Sequence, residues 1–349
     1  MSVVSAPPPL IEILRDAVVE SRHRGAIVAV TPRNELLAAL GHDDEPCFLR
    51  SAAKPFQAVV VLVAGAAERH RLTDRELALI ASSHNGEPMH VECVSALLDR
   101  LRLAPDLLQC GVHPPFNSAT ARLMAGQPPT VLHNNCSGKH AGMLAACLTA
   151  GFPVAGYAEV DHPLQRRIRD VIAEFGDVAA DAMPFGLDGC TVPTWAIPLR
   201  AIALAYARLV NPVGVTHYAA AARRVAAAMM THPEMVGGTE RIDTDLMRAA
   251  PGDIVSKVGA EGVHAVAVPP GRHPRYPDGL GMALKIEDGD AFRARNPAII
   301  AALEQLGVLP QDAAARLMEK YSRPIVTNRK QPAGEARVAF RLADAAQNR

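Results

Sequence analysis

Arg50-Ser-Ala-Ala-Lys-Pro-Phe-Gln-Ala-Val-Val-Val-Leu-Val-Ala-Gly-Ala-Ala67 carries two messages in one stretch. Its tail, Ala58 to Ala67, is the longest apolar run in the chain. A bilayer span needs about 20 such residues, so the run reads as a buried helix. Pro55 suits the first turn of that helix, which the pattern carries from Pro55 to Arg69. Its head sets Ser51 three residues before Lys54, so both project from one face, a turn apart. A lysine that is desolvated or close to another cation can be neutral and can take a serine proton. Backbone N–H groups at the same helix start suit a developing oxyanion. S-x-x-K is also common by chance, and a helix cap beside a solvated lysine gives the same four letters.

Outward from this stretch, strands and helices come in blocks. Ala26 to Val30 and Glu35 to Leu40 read as a hairpin around Thr31-Pro-Arg-Asn34. Thr73-Asp-Arg-Glu76 is a capping-box pattern opening a helix that ends near Ser82. Helical periodicity follows over Ser137–Ala150, Pro163–Phe175, Thr194–Val210 and Val215–Met230. Strand patterns return at Asp253–Val258, Gly262–Val268 and Gly281–Ile286, then a helix over Ala291–Leu306 and a last strand over Ala336–Leu342. Blocks of this kind, without strict alternation, imply an α+β fold. Neither strand group is large enough to stand alone, so the two are expected to pair into one antiparallel sheet. The expected division is a sheet lobe of residues 1–72 and 251–349, with 73–250 as a largely helical second lobe and a cleft between them.

The chain has 349 residues, 49 % hydrophobic and 21 % charged, enough for a large core. Lys+Arg and Asp+Glu both number 36, so no global field favours nucleic acid or an anionic membrane. The opening MSVVSAPPPLIEILRDAVVESRHRG lacks a basic segment followed by an apolar one, and a cytoplasmic location is the expectation. Six cysteines with no C-x-x-C pair argue against a zinc ribbon, and without an export signal disulfides are a poor default.

Two more short elements join the first. Ser83-His-Asn85 has the form S-x-N, and Lys257-Val-Gly259 the form K-x-G on a late strand. The order S-x-x-K, S-x-N, K-x-G resembles the signatures of serine β-lactamases and penicillin-binding proteins. Each lysine then has a serine to pair with, Lys54 with Ser51 and Lys257 with Ser83. His133-Asn-Asn-Cys-Ser-Gly-Lys-His140 is no phosphate-binding loop, because it starts with His and ends in His where Gly and Ser or Thr belong. Cys136 and His140 lie four apart, a spacing that serves two metal ligands or two core positions equally. Asp188-Gly-Cys190 offers a third donor.

Arg50-Ser-Ala-Ala-Lys54-Pro-Phe, Ser82-Ser-His-Asn-Gly-Glu87, the 133–140 block, Asp188-Gly-Cys-Thr-Val-Pro and Lys257-Val-Gly-Ala-Glu-Gly262 together resemble the asparaginase II family, which includes the Rhizobium-type enzyme. The likeness runs from about residue 10 to residue 343. It implies a serine β-lactamase-like fold and hydrolysis of L-asparagine to L-aspartate and ammonia. It implies Ser51 as nucleophile with Lys54 as base, and Ser83 with Lys257 as a second pair. It implies Arg50, His84, Asn85 and Asp188 around the substrate, with Asp188 as its orienting carboxylate. Cys136, Lys139 and Cys190 resemble a zinc-type site beside the pocket, although a lysine must shed its proton to coordinate. No organic cofactor is implied, and the expected partners are L-asparagine and a second copy in a homodimer.

Three rivals share some of these features. A penicillin-binding protein or β-lactamase would need export and would not need the 133–140 block. A glutaminase differs by one methylene of substrate, which a pocket discriminates by about 1–3 kcal/mol. A non-catalytic metal- or amino-acid-binding protein could keep the fold, but it would not need all four serine and lysine residues.

Overall fold

The computed structural model describes residues 6–124, 126–322 and 324–343. Its strands in chain order are β1 (Pro9–Arg15), β2 (Val18–Val30), β3 (Leu36–Leu40), β4 (Pro46–Phe48), β5 (Phe185–Leu187), β6 (Pro193–Pro198), β7 (Val255–Val258), β8 (Val263–Val268), β9 (Leu280–Ile286), β10 (Ile325–Val326) and β11 (Pro332–Val338). Among the described residues eight of them form one sheet in the order β10-β11-β1-β2-β9-β8-β7, with β3 also on β2. Every pairing is antiparallel. The early and late strand groups therefore do join, at the β2–β9 seam, with Ile27 opposite Leu284. The fold is α+β.

Both faces of this sheet are covered, which explains why Ala26–Val30 is buried without a break. Successive side chains of β2 enter opposite cores. Ala26, Val28 and Val30 join the core holding the helices Lys54–Val63, Asp74–Ile80, Ser137–Ala150, Pro163–Gly176, Leu199–Val210 and Ala219–Thr231. Ile27 and Ala29 join the core under Ile242–Ala249, Asn296–Gln305 and Gln311–Tyr321. The Leu199–Val210 helix lies directly on β2, β8 and β9. Gly281 makes this possible, since a Cβ there would overlap the carbonyl of Ala203 and the backbone nitrogen of Ala207. Gly281→Ala is expected to cost about 1–3 kcal/mol or more through overpacking. A thermal melt unchanged by the substitution would contradict this packing.

Several expected elements are found with changed boundaries. The capping box forms: the Thr73 N–H donates to Glu76 at 2.8 Å and the Glu76 N–H to Thr73 Oγ1 at 3.2 Å. The expected Pro55–Arg69 helix begins at Lys54 and breaks at Gly65, whose φ is 78°, before a short Ala66–His70 helix. The expected helix from Thr194 begins only at Leu199. Thr194, Trp195 and Ile197 instead form the middle strand of a second sheet, β4-β6-β5, and Pro198 ends it. The last strand stops at Val338 rather than Leu342, because its partner β1 runs out at the proline-led start of the sheet. Strand β1 itself, the helices Pro88–Leu101 and Gln311–Tyr321, and the short Ile242–Ala249 helix were not legible in the periodicity.

Candidate active site

A 3-10 turn, Arg50–Ala53, leads from β4 straight into the Lys54–Val63 helix. Arg50 takes φ 49°, a left-handed value that costs a non-glycine residue energy and is kept only where its surroundings enforce it. Here they do. Its N–H donates to Thr194 Oγ1 at 3.1 Å, and its guanidinium holds Asp188 Oδ1 at 2.9 Å. The next residue, Ser51, is half-buried at the turn. One turn further on, Lys54 is 1 % exposed. Its Nζ donates to Ser83 Oγ at 2.9 Å and to the Asn135 carbonyl at 3.4 Å. Among the described residues no carboxylate pairs with it, and no hydrogen bond joins it to Ser51. Ser83 is fixed just past the Asp74–Ile80 helix by its own N–H, which donates to Val236 O at 3.0 Å.

Lys257 lies on β7 at the end of the sheet, yet it is fully buried. Gly259, two residues on, lets this strand pass Leu49, since a Cβ there would stand 2.8 Å from the Leu49 carbonyl. The K-x-G strand is thereby held against the serine turn. Lys257 Nζ donates to Val258 O at 3.0 Å and pairs with Asp243 Oδ2 at 3.4 Å. Among the described residues no hydrogen bond joins Ser83 to Lys257, the expected second pair: Ser83 Oγ accepts from Lys54 Nζ, and Lys257 pairs with Asp243. Asp243 also accepts from Ser256 Oγ at 2.8 Å and from the Val258 N–H at 3.1 Å, and Ser256 meets His264 Nε2 at 2.8 Å. Burial lowers the Lys257 amine to about 7, helped by the charges of Lys54 and Arg241 and opposed by Asp243. Burial pushes Asp243 up, but Lys257, His264 and the Val258 N–H outweigh it and hold the carboxyl far below its ordinary range.

His84 and Asn85 sit beside Ser83 but turn inward. His84 Nδ1 accepts the Gly86 N–H at 3.1 Å and Nε2 meets Ser137 Oγ at 3.0 Å. Its ring stacks on His90 with centroids 4.9 Å apart. Burial, with His90 and Lys54 nearby, keeps this imidazole neutral. Asn85 donates to Glu87 Oε1 at 3.1 Å and to Thr239 O at 2.7 Å, and accepts from Arg241 at 3.1 Å. Both side chains make their hydrogen bonds within the loop and to the segments packed on it. Asp188 Oδ1 carries Arg50 and the Gly189 N–H at 2.8 Å. Burial raises its carboxyl, but Lys139 and Arg50 bring it below the usual range.

The third group is Cys136, Lys139 and Cys190, all buried. Lys139 Nζ donates to Cys190 Sγ at 2.8 Å. His140 instead meets the Tyr157 hydroxyl at 2.7 Å, so Lys139, not His140, stands with the two thiols. The neighbouring Cys190, Lys54 and Lys139 lower Cys136 against the pull of burial, while Cys136 and burial raise Cys190. Burial opposes the Lys139 charge, but Cys190, Cys136 and Asp188 outweigh it and raise the amine. Among the described residues no three His, Cys, Asp or Glu side chains gather as a metal cage. An ion at this point would take two sulfurs and a deprotonated lysine nitrogen. The two soft sulfurs suit zinc.

Asn135, Thr194, Arg241 and Asp243 shape the site and were missed in the sequence. Asn135 lay inside a block already singled out. Nothing in spacing ties Asp243 to Lys257, because Asp243 opens a helix and Lys257 lies on the strand beyond the next turn. No helix among the described residues is long and apolar enough to cross a membrane.

In similarity to solved structures the chain finds glutaminases. One, described as a probable glutaminase from Bacillus subtilis complexed with 6-diazo-5-oxo-L-norleucine, is 13 % identical, covering 82 % of this chain and 85 % of that one with a TM-score of 0.37. A Bacillus glutaminase determined in 4.3 M NaCl is 12 % identical, covering 82 % and 91 % with a TM-score of 0.41. Scores this low assign no substrate. No curated relative matches the chain in sequence. The profile described as L-asparaginase II matches residues 11–338, nearly the whole chain and every motif described above, and the chain belongs to that amidohydrolase family.

Proposed function

We propose that the protein hydrolyses the side-chain amide of L-asparagine to L-aspartate and ammonia, with Ser51 as nucleophile. The observation that carries this reading is the buried, carboxylate-free Lys54, bonded to Ser83 one turn from Ser51. Lys54 takes the Ser51 proton as the hydroxyl oxygen attacks the amide carbon. The C–N bond breaks, and the proton taken by Lys54 passes through Ser83 to the departing amine, which leaves as ammonia. Water then adds to the Ser51 ester and gives its proton through Ser83 to Lys54, which returns it to the Ser51 oxygen as the C–O bond breaks and L-aspartate leaves. A group near 7, such as Lys257, suits proton exchange at neutral pH. The Ser51 backbone N–H is the turn's donor for the oxyanion, since those of Arg50 and Ala52 are held by Thr194 Oγ1 and Leu49 O. Asp188 Oδ1 is occupied, which leaves Oδ2 for the substrate ammonium.

Cys136, Lys139 and Cys190 would hold a zinc ion, which supplies a fixed positive charge beside the substrate when bound. The purified protein is then expected to carry about one zinc per chain, and Cys190→Ser to lose it, by elemental analysis. Equal zinc in both proteins, or none in the parent, would remove the assignment.

Ammonia release from L-asparagine and L-glutamine tests the substrate. A pocket cut for the shorter side chain is expected to favour asparagine in kcat/KM by about tenfold or more. Equal or faster release from glutamine would replace this reading with a glutaminase.

A further inference from the structure

Beyond Asn85 from Ser83 lies a cavity of about 430 Å³. Its lining includes Arg241 and Arg295 but none of Ser51, Lys54, Ser83, Lys257 or Asp188. The two arginines are unusual in what they lack. Arg295 is 9 % exposed, and its guanidinium donates only to Asn296 Oδ1 at 2.9 and 3.3 Å and to Gly259 O at 3.3 Å. Arg241 donates to Asn85 Oδ1 at 3.1 Å and lies over the Phe116 ring, 5.7 Å from its centre. Among the described residues neither forms an ion pair with a carboxylate. The buried acids that act on Arg241 are occupied elsewhere, Asp243 by Lys257, Ser256 and the Val258 N–H and Glu87 by Asn85 and Thr239. Glu240 also lines the cavity, but its side chain is solvent-exposed. Burial and the charge of Arg241 together lower Arg295 to about 10, against the pull of Asp243. Two guanidinium groups thus share a wall, repel one another and keep unused N–H donors. Buried cations of this kind ordinarily meet an anion.

The walls indicate which anion. Phe116, Phe292 and Ile242 are apolar, and the volume exceeds that of a bare oxyanion. We propose that this cavity binds a small organic acid, with a carboxylate laid between the forks of Arg241 and Arg295 and its carbon skeleton against Phe116 and Phe292. A planar guanidinium fork matches a carboxylate with paired N–H donors, and the aromatic faces complete a site for a short aliphatic acid.

Isothermal titration of the full-length protein with succinate tests this, with inorganic phosphate as a second arm. Succinate is expected to bind, and Arg241→Gln and Arg295→Gln are each expected to weaken it by about tenfold or more. Asp188→Asn is expected to leave it unchanged, which separates this cavity from the amidase site. Circular dichroism checks the fold of each variant. Should Arg295→Gln not fold, Arg241→Lys, which keeps the charge but loses the fork, is expected to weaken succinate as well. Failure of succinate to bind, undiminished binding by folded arginine variants, loss of binding in Asp188→Asn, or tighter binding of phosphate than of succinate would each overturn the proposal. None of these outcomes depends on amide turnover.

Discussion

Lys54→Met is expected to release ammonia from L-asparagine about a thousandfold more slowly than the parent chain, or slower still, and to melt no lower. The two halves of this expectation come from the same observation. Lys54 is fully buried and has no carboxylate partner among the described residues; beside it are the Ser83 hydroxyl, the Asn135 carbonyl and the Cys136 sulfur. A lysine kept for stability would ordinarily meet a carboxylate, since a buried ammonium without one is costly and an apolar side chain of similar length does better. Methionine fills the same volume without the charge. Loss of turnover with a retained or raised melting temperature would mark Lys54 as a chemical group. A variant that unfolds, or one that turns over at the parental rate, would deny it that role.

Asp243→Asn is expected to be the most damaging single change to stability, about 3–5 kcal/mol, because it strands Lys257 in the core. The loss should depend on pH in a definite direction. In the parent chain the folded Lys257 value of about 7 lies below the unfolded value of roughly 10.4, so between the two the unfolded chain binds the extra proton. Stability from this group therefore rises with pH across that window and is at its lowest below it. Without Asp243 the folded value falls further and the window extends to lower pH. Urea unfolding at about pH 6 and about pH 9 should show the larger deficit of Asp243→Asn at the lower pH. A deficit of equal size at both values would mean that the carboxylate does not act through Lys257.

The sequence made much of this legible, for physical reasons that can be named. A helix start with serine and lysine on one face is a local pattern, so Ser51 and Lys54 were readable, and they are found on that turn. The capping box at Thr73 is local too and forms as read. The late strands carried enough alternation to be placed, and their pairing with β2 followed from the instability of small sheets. What escaped depended on tertiary contact. Motif order pairs Ser83 with Lys257, whereas packing brings Lys54 to Ser83 and gives Lys257 to Asp243. His84 and Asn85 stand in the motif but are consumed by Gly86, Ser137, Thr239 and Arg241, three of them distant in sequence. Trp195 reads as helix in isolation and becomes strand because β4 and β5 flank it. The left-handed Arg50 leaves no mark in residue type at all.

The most direct measurement is ammonia release from L-asparagine by the purified parent protein, Ser51→Ala and Ser83→Ala under identical conditions. Release by the parent, its disappearance in Ser51→Ala and a severe loss in Ser83→Ala are the expected results. Full release by both serine variants would contradict a serine–lysine amidohydrolase, however well the fold is placed.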